Sequence, residues 1–166
     1  TKAEDSILVP LGQSGAPTAL TAVLQNYMTD VAIVQWALLS LEHIASCTRN
    51  LPILHAAGTD SLLILVLQAH FVHNPTVVNI CLRLFAHFSH SDECRETIGR
   101  ESGGKVLLVS MAHNMSDTLP AKLGADAVSA LCLTPQFDAI AVIASKDSLG
   151  PSYDELNVNQ HSAMKA

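Results

Sequence analysis

The chain has 166 residues, enough for one domain with a buried interior. Hydrophobic residues make up 49% and charged residues 14%, which excludes a disordered chain. The net charge of -6, with only a loose basic group at Arg95, Arg100 and Lys105, argues against a nucleic-acid surface. Aromatics are 4%, so aliphatic side chains must fill the interior, as in packed helices rather than aromatic-rich strands.

In chain order, a short helix from about Glu4 is predicted to stop at Gly15, where the apolar run GAPTALTAVL begins and continues to Leu24. Asp30 then caps a helix carrying ALLSLEHIAS from Ala37 to Ser46. After Thr48 the pattern returns: ILHAAG from Ile53 to Gly58, then GTDSLLILVL to Leu67. Asn74 and Pro75 open a helix containing CLRLFAHFSH from Cys81 to His90, with proline placed where no helical N–H is lost. A third round runs from Asp92 through GGKVLLVSM at Gly103–Met111, a start at Asp117, Thr118 and Pro120, and a weaker AVSALCLT at Ala127–Thr134. A partial fourth has a helix near Phe137–Ala144 that stops before Gly150 and Pro151.

The repetition has two phases. Gly15, Gly58 and Gly103 are 43 and 45 residues apart, and the polar starts at 30, 74 and 117 are 44 and 43 apart. Each glycine is predicted to turn the chain sharply through positive φ. His43 and His87 fall in the same slot of their helices. The unit is a short helix, a glycine turn, an apolar helix, a polar cap and a third helix.

This pattern resembles the armadillo repeat, most closely over Ala37–Leu67. The resemblance implies an all-α, right-handed solenoid of three-helix repeats over 1–150, with repeats at about 4–46, 48–90 and 92–134, a partial one at 135–150, and a polar tail or cap at 151–166. It also implies a non-catalytic scaffold or adaptor whose third helices line a concave groove that holds an extended peptide or a partner helix. The family's peptide-binding members place an asparagine on each third helix and, in some, a tryptophan one turn earlier. The matching slots here hold His43 and His87, and Leu39 and Arg83, so the family's ladder for basic peptides is absent. Trp36 lies one turn before Leu39 on the same face. The expected partner-facing residues are therefore Trp36, Leu39, His43, Asn79, Arg83 and His87, with Arg83 either free for a partner or paired with an acid such as Asp126. The alternative is a structural segment of a larger solenoid or assembly that contacts partners, or a second copy, through its repeat ends, since Ile7, Leu8 and Val9 are apolar for a terminal cap.

Other chemistry is not expected. His70-x-x-His73 and His87-x-x-His90 have the spacing of a helix-borne metal pair, but lack companion ligands at a familiar spacing. Gly103-Gly104 lacks the phosphate-loop pattern. Cys47, Cys81, Cys94 and Cys132 form no C-x-x-C pair and read as reduced thiols of an intracellular protein, cytoplasmic in expectation, with nucleus and cytoskeleton open. No apolar run reaches the roughly 18–20 residues of a membrane span. No catalytic residue, cofactor, metal, nucleic acid or small-molecule substrate is expected.

Overall fold

The computed structural model describes residues 2–100, 103–113, 125, 128 and 129. Among them the chain is all-helical: α1 Lys2–Gln13, α2 Ala16–Asn26, α3 Val31–Ala45, α4 Leu51–Ala56, α5 Thr59–His70, α6 Pro75–Phe88, α7 Asp92–Arg100 and α8 Gly103–His113, with a 3-10 turn at Thr48–Asn50 before α4. The expected third polar start at Asp117, the run at Ala127–Thr134, the partial repeat at 135–150 and the tail at 151–166 lie outside the described residues, apart from helical Val128 and Ser129.

Each boundary has a local cause. Gly15 and Gly58 adopt φ of 81° and 73°, directly before α2 and α5. A Cβ at either would meet nothing within 4 Å, so backbone freedom alone calls for glycine there. Gly103 differs from the expectation, because it is not among the positive-φ glycines. Its side of the helix is crowded instead: a Cβ would press on Ile98 and reach 3.0 Å from Ile64 Cδ1. Asp30 caps α3 through Oδ1, which accepts from the Ala32 and Ile33 N–H groups at 3.1 Å. Asn74 precedes α6 but its side chain does not cap it; its amide Nδ2 donates to His70 Nδ1 at 3.0 Å. Pro75 lowers the need for a cap there, since it brings no N–H to satisfy.

The helices stack as two successive triplets, α1–α3 and α4–α6, followed by α7 and α8. Along the stack, α3 lies against α6, α2 against α5, and α5 against α8. One continuous apolar core joins them: Val34, Leu38 and Leu41 of α3, Leu63, Val66 and Leu67 of α5, Val77, Cys81, Phe85 and Phe88 of α6, Ile98 of α7 and Leu107 of α8. Fully burying each such side chain contributes roughly 1.5–3 kcal/mol.

Buried and part-buried polar bonds tie the first triplet to the second, all but one between residues 38 to 42 apart. Thr21 and Thr59 share a hydroxyl bond at 2.8 Å. Asn50 Nδ2 donates to the carbonyls of Leu8 at 2.9 Å and Ile44 at 3.1 Å. His70 Nε2 donates to the Met28 carbonyl at 2.8 Å, and Arg83 pairs with Glu42 at 2.8 Å. A buried polar group left unpaired is costly, so these bonds favour one register of stacking over its neighbours.

Candidate partner-binding face

The tryptophan and two neighbours expected to face a partner lie on one side of α3. Trp36 is 72% exposed and Leu39 37%, the largest apolar surfaces on that helix. With exposed His43 they line an open groove of about 680 Å³, whose other walls are Ser40 and Ile44 of α3, Leu11 of α1, and Ala16, Ala19 and Leu20 of α2. No lining residue carries a permanent charge.

Asn79, Arg83 and His87 are not brought into this groove. They stand on α6, each half-buried, along the seam with α3. Arg83 pairs with Glu42; Asp126, the acid named as its expected partner, lies outside the described residues. Asn79 Oδ1 and Arg83 Nε, one helical turn apart, have no hydrogen-bond partner among the described residues. His87 loses proton affinity chiefly because burial disfavours its charged form; Glu42 opposes that effect, and the nearby His90 and Arg83 charges reinforce it.

His70 and His73 are not arranged as a metal clamp. Both ring nitrogens of His70 are engaged, one with the Met28 carbonyl and the other with Asn74, and His73 lies beyond the end of α5. Cys47, Cys81 and Cys94 are buried free thiols, and Cys132 lies outside the described residues. Burial raises the Cys81 thiol far above its ordinary range and pushes Cys94 up to about 11, which leaves both poor nucleophiles.

The groove's origin becomes clear when its walls are followed one triplet on. Leu11, Ala16, Ala19 and Leu20 stand 43 positions before Leu54, Thr59, Leu62 and Leu63, all of which are buried. Trp36, Ser40 and Ile44 stand 44 positions before Ile80, Leu84 and Phe88, also all buried. The sharpest contrast is Trp36 at 72% exposure against Ile80 at 3%. In the second triplet this surface is covered by the first, with α3 along α6 and α2 along α5. In the first triplet Leu11, Ala19, Trp36 and Ser40 are exposed and Ala16 and Leu20 half-buried, over a buried floor at Ile44.

No protein-family model, curated protein or solved structure matches this chain. The surface must therefore be interpreted from its own geometry. Sequence reasoning found Trp36, Leu39 and His43 but missed the opposite wall at Leu11, Ala16, Ala19 and Leu20. A signal for that wall was present. Set in the 43-residue register, these positions match a run whose apolar members, Leu54, Leu62 and Leu63, belong on a stacking face.

No single helix among the described residues is long and apolar enough to cross a membrane.

Proposed function

We propose that the chain is a non-catalytic protein-interaction module built from armadillo-type repeats, and that it holds a helix of a partner protein in the groove between α2 and α3. The carrying observation is the register match: every groove wall from Leu11 to Ile44, other than Leu39 and His43, has a counterpart one triplet on that is buried under a packed helix. The armadillo assignment is supported by helix triplets that recur with the glycine spacing and by left-handed glycines between the first and second helices of both triplets.

The chemistry of the groove describes its occupant. An uncharged, aliphatic hollow with one exposed indole at its edge suits an amphipathic helix presenting Leu, Ile or Val at three- and four-residue spacing. Trp36 supplies the large, rigid apolar contact typical of an interface anchor. His43 and Ser40 offer polar contacts at the rim.

The test is photo-crosslinking in extract of the native cell, with a benzophenone amino acid at position 36 and, as control, at Leu65, an exposed apolar residue in a separate hollow between α2 and α5. The proposal expects position 36 to capture a defined protein through a helical segment, and Leu20→Glu to abolish the capture. Equal labelling from both positions, or capture indifferent to Leu20→Glu, would reject it.

A second reading rests on the same observation. The helix on this face then belongs to another repeat, in a larger solenoid or a second copy of the chain. Solution mass against concentration separates them, since self-stacking gives a concentration-dependent oligomer that Trp36→Glu dissolves.

A further inference from the structure

A second cluster lies away from the groove, where the second triplet meets α7. His55 of α4, Asp60 of α5 and Cys94 of α7 bring Nδ1, a carboxylate oxygen and Sγ within 4.8 Å of one another. Asp60 and Cys94 are sealed from solvent, whereas the His55 side chain is 35% exposed and forms the open side. The imidazole Nδ1 and Asp60 Oδ2 are 2.6 Å apart. Asp60 Oδ1 accepts the Ser61 N–H at 3.0 Å, which orients the carboxylate.

Stacking alone does not ask for these residues. At the preceding junction the positions matching His55 and Asp60 are Gly12 and Pro17, and the position matching Cys94 is Asn50. That junction closes without a donor cluster, through the Asn50 amide and two backbone carbonyls. An acid placed in the interior at Asp60 is therefore a local addition, and it is surrounded by the two other side-chain types that bind soft and borderline metals.

We propose that His55, Asp60 and Cys94 form a three-ligand site for a zinc ion, with the fourth position open on the side of His55. One nitrogen, one oxygen and one sulfur donor suit zinc, which takes such sets in tetrahedral geometry. Bonds of about 2.0–2.3 Å to each donor place tetrahedral ligands roughly 3.3–3.7 Å apart. His55 Nδ1 and Asp60 Oδ2 are now closer than that, with all three donor atoms within 4.8 Å, and swinging the half-exposed His55 ring away from Asp60 opens room for the ion. A thiolate and a carboxylate balance the two positive charges, so the sealed part of the site becomes neutral. As the ion binds, the Cys94 thiol proton leaves to solvent, the proton shared by His55 Nδ1 and Asp60 shifts to the ring's Nε2, and nothing is oxidised or reduced. The ion would tie α4 and α5 to α7.

The experiment uses the full chain, reduced and stripped with a chelator, titrated with Co²⁺ and then Zn²⁺. The site expects one equivalent of Co²⁺ to give a thiolate-to-cobalt charge-transfer band with tetrahedral visible absorption. Zn²⁺ should bleach both and raise the melting temperature. Cys94→Ser should lose the band although Cys47, Cys81 and Cys132 remain, and His55→Gln, at a half-exposed position that leaves the fold intact, should weaken binding by more than about tenfold. No band at stoichiometric metal, or a band unchanged in folded Cys94→Ser or in His55→Gln, overturns the proposal and leaves a hydrogen-bonded triad only.

Discussion

Trp36 and Ile80 occupy matching positions 44 residues apart, and truncating them should give opposite results. Ile80 is 3% exposed and packed in the core, so Ile80→Ala removes buried methylenes and leaves a cavity, at a cost of about 2–5 kcal/mol. Trp36 is 72% exposed. Roughly a quarter of a tryptophan's 150–250 Å² is then buried, about 40–70 Å², worth at most about 1–1.8 kcal/mol at 25 cal/mol per Å². The better helix propensity of alanine returns about half a kcal/mol. Trp36→Ala should therefore cost no more than about 1.3 kcal/mol. Urea unfolding followed by far-UV circular dichroism measures both, because Trp36→Ala removes the only tryptophan and with it the fluorescence signal. If the two variants lose similar stability, the groove is already filled within the chain, and reading it as an open stacking face is refuted.

Glycine substitutions separate backbone from space. Gly58→Ala meets no atom but forces alanine to φ of 73°, which should cost about 1–2 kcal/mol, with Gly58→Asn cheaper. Gly12→Ala has no backbone penalty but drives its methyl into the Asn50 amide, so by thermal unfolding it should lose more than Gly58→Ala, together with the Leu8 and Ile44 bonds. The Arg83–Glu42 pair is partly exposed, so a double-mutant cycle with Glu42→Gln and Arg83→Gln should yield a coupling below about 1 kcal/mol. His87 binds its proton less readily folded than unfolded, so its contribution is fully present above the unfolded value near 6.5 and is lost as pH falls through that value toward the folded one. Melting temperature should accordingly drop between pH 7.5 and 5.5, and His87→Gln should flatten that slope.

Helix order was legible in the sequence because its signals are local. Asp30 and Pro75 mark starts, Gly15 and Gly58 mark turns, and the apolar periodicity of α3 and α6 survives without any knowledge of neighbours. Gly103 was misread because a glycine needed for close approach to Ile98 and Ile64 looks the same in sequence as one needed for positive φ. Asn74 stands at the expected start of α6, but its side chain turns to His70, four residues earlier, instead of capping the helix. The candidate face was half legible. One helix's spacing exposes Trp36, Leu39 and His43 together, but Leu11 and Leu20 join them only through the packing of α1 and α2 on α3. The His55, Asp60 and Cys94 cluster was hidden for the same reason, since its members come from three helices and share no familiar spacing.

Acrylamide quenching of the single tryptophan tests the account most directly, because its fluorescence comes from the groove and nowhere else. Quenching of the free chain should lie close to that of a solvated indole and fall sharply, with a blue-shifted emission, once the protein captured at position 36 is bound. A tryptophan already shielded in the free chain, or equally accessible in the complex, would contradict it.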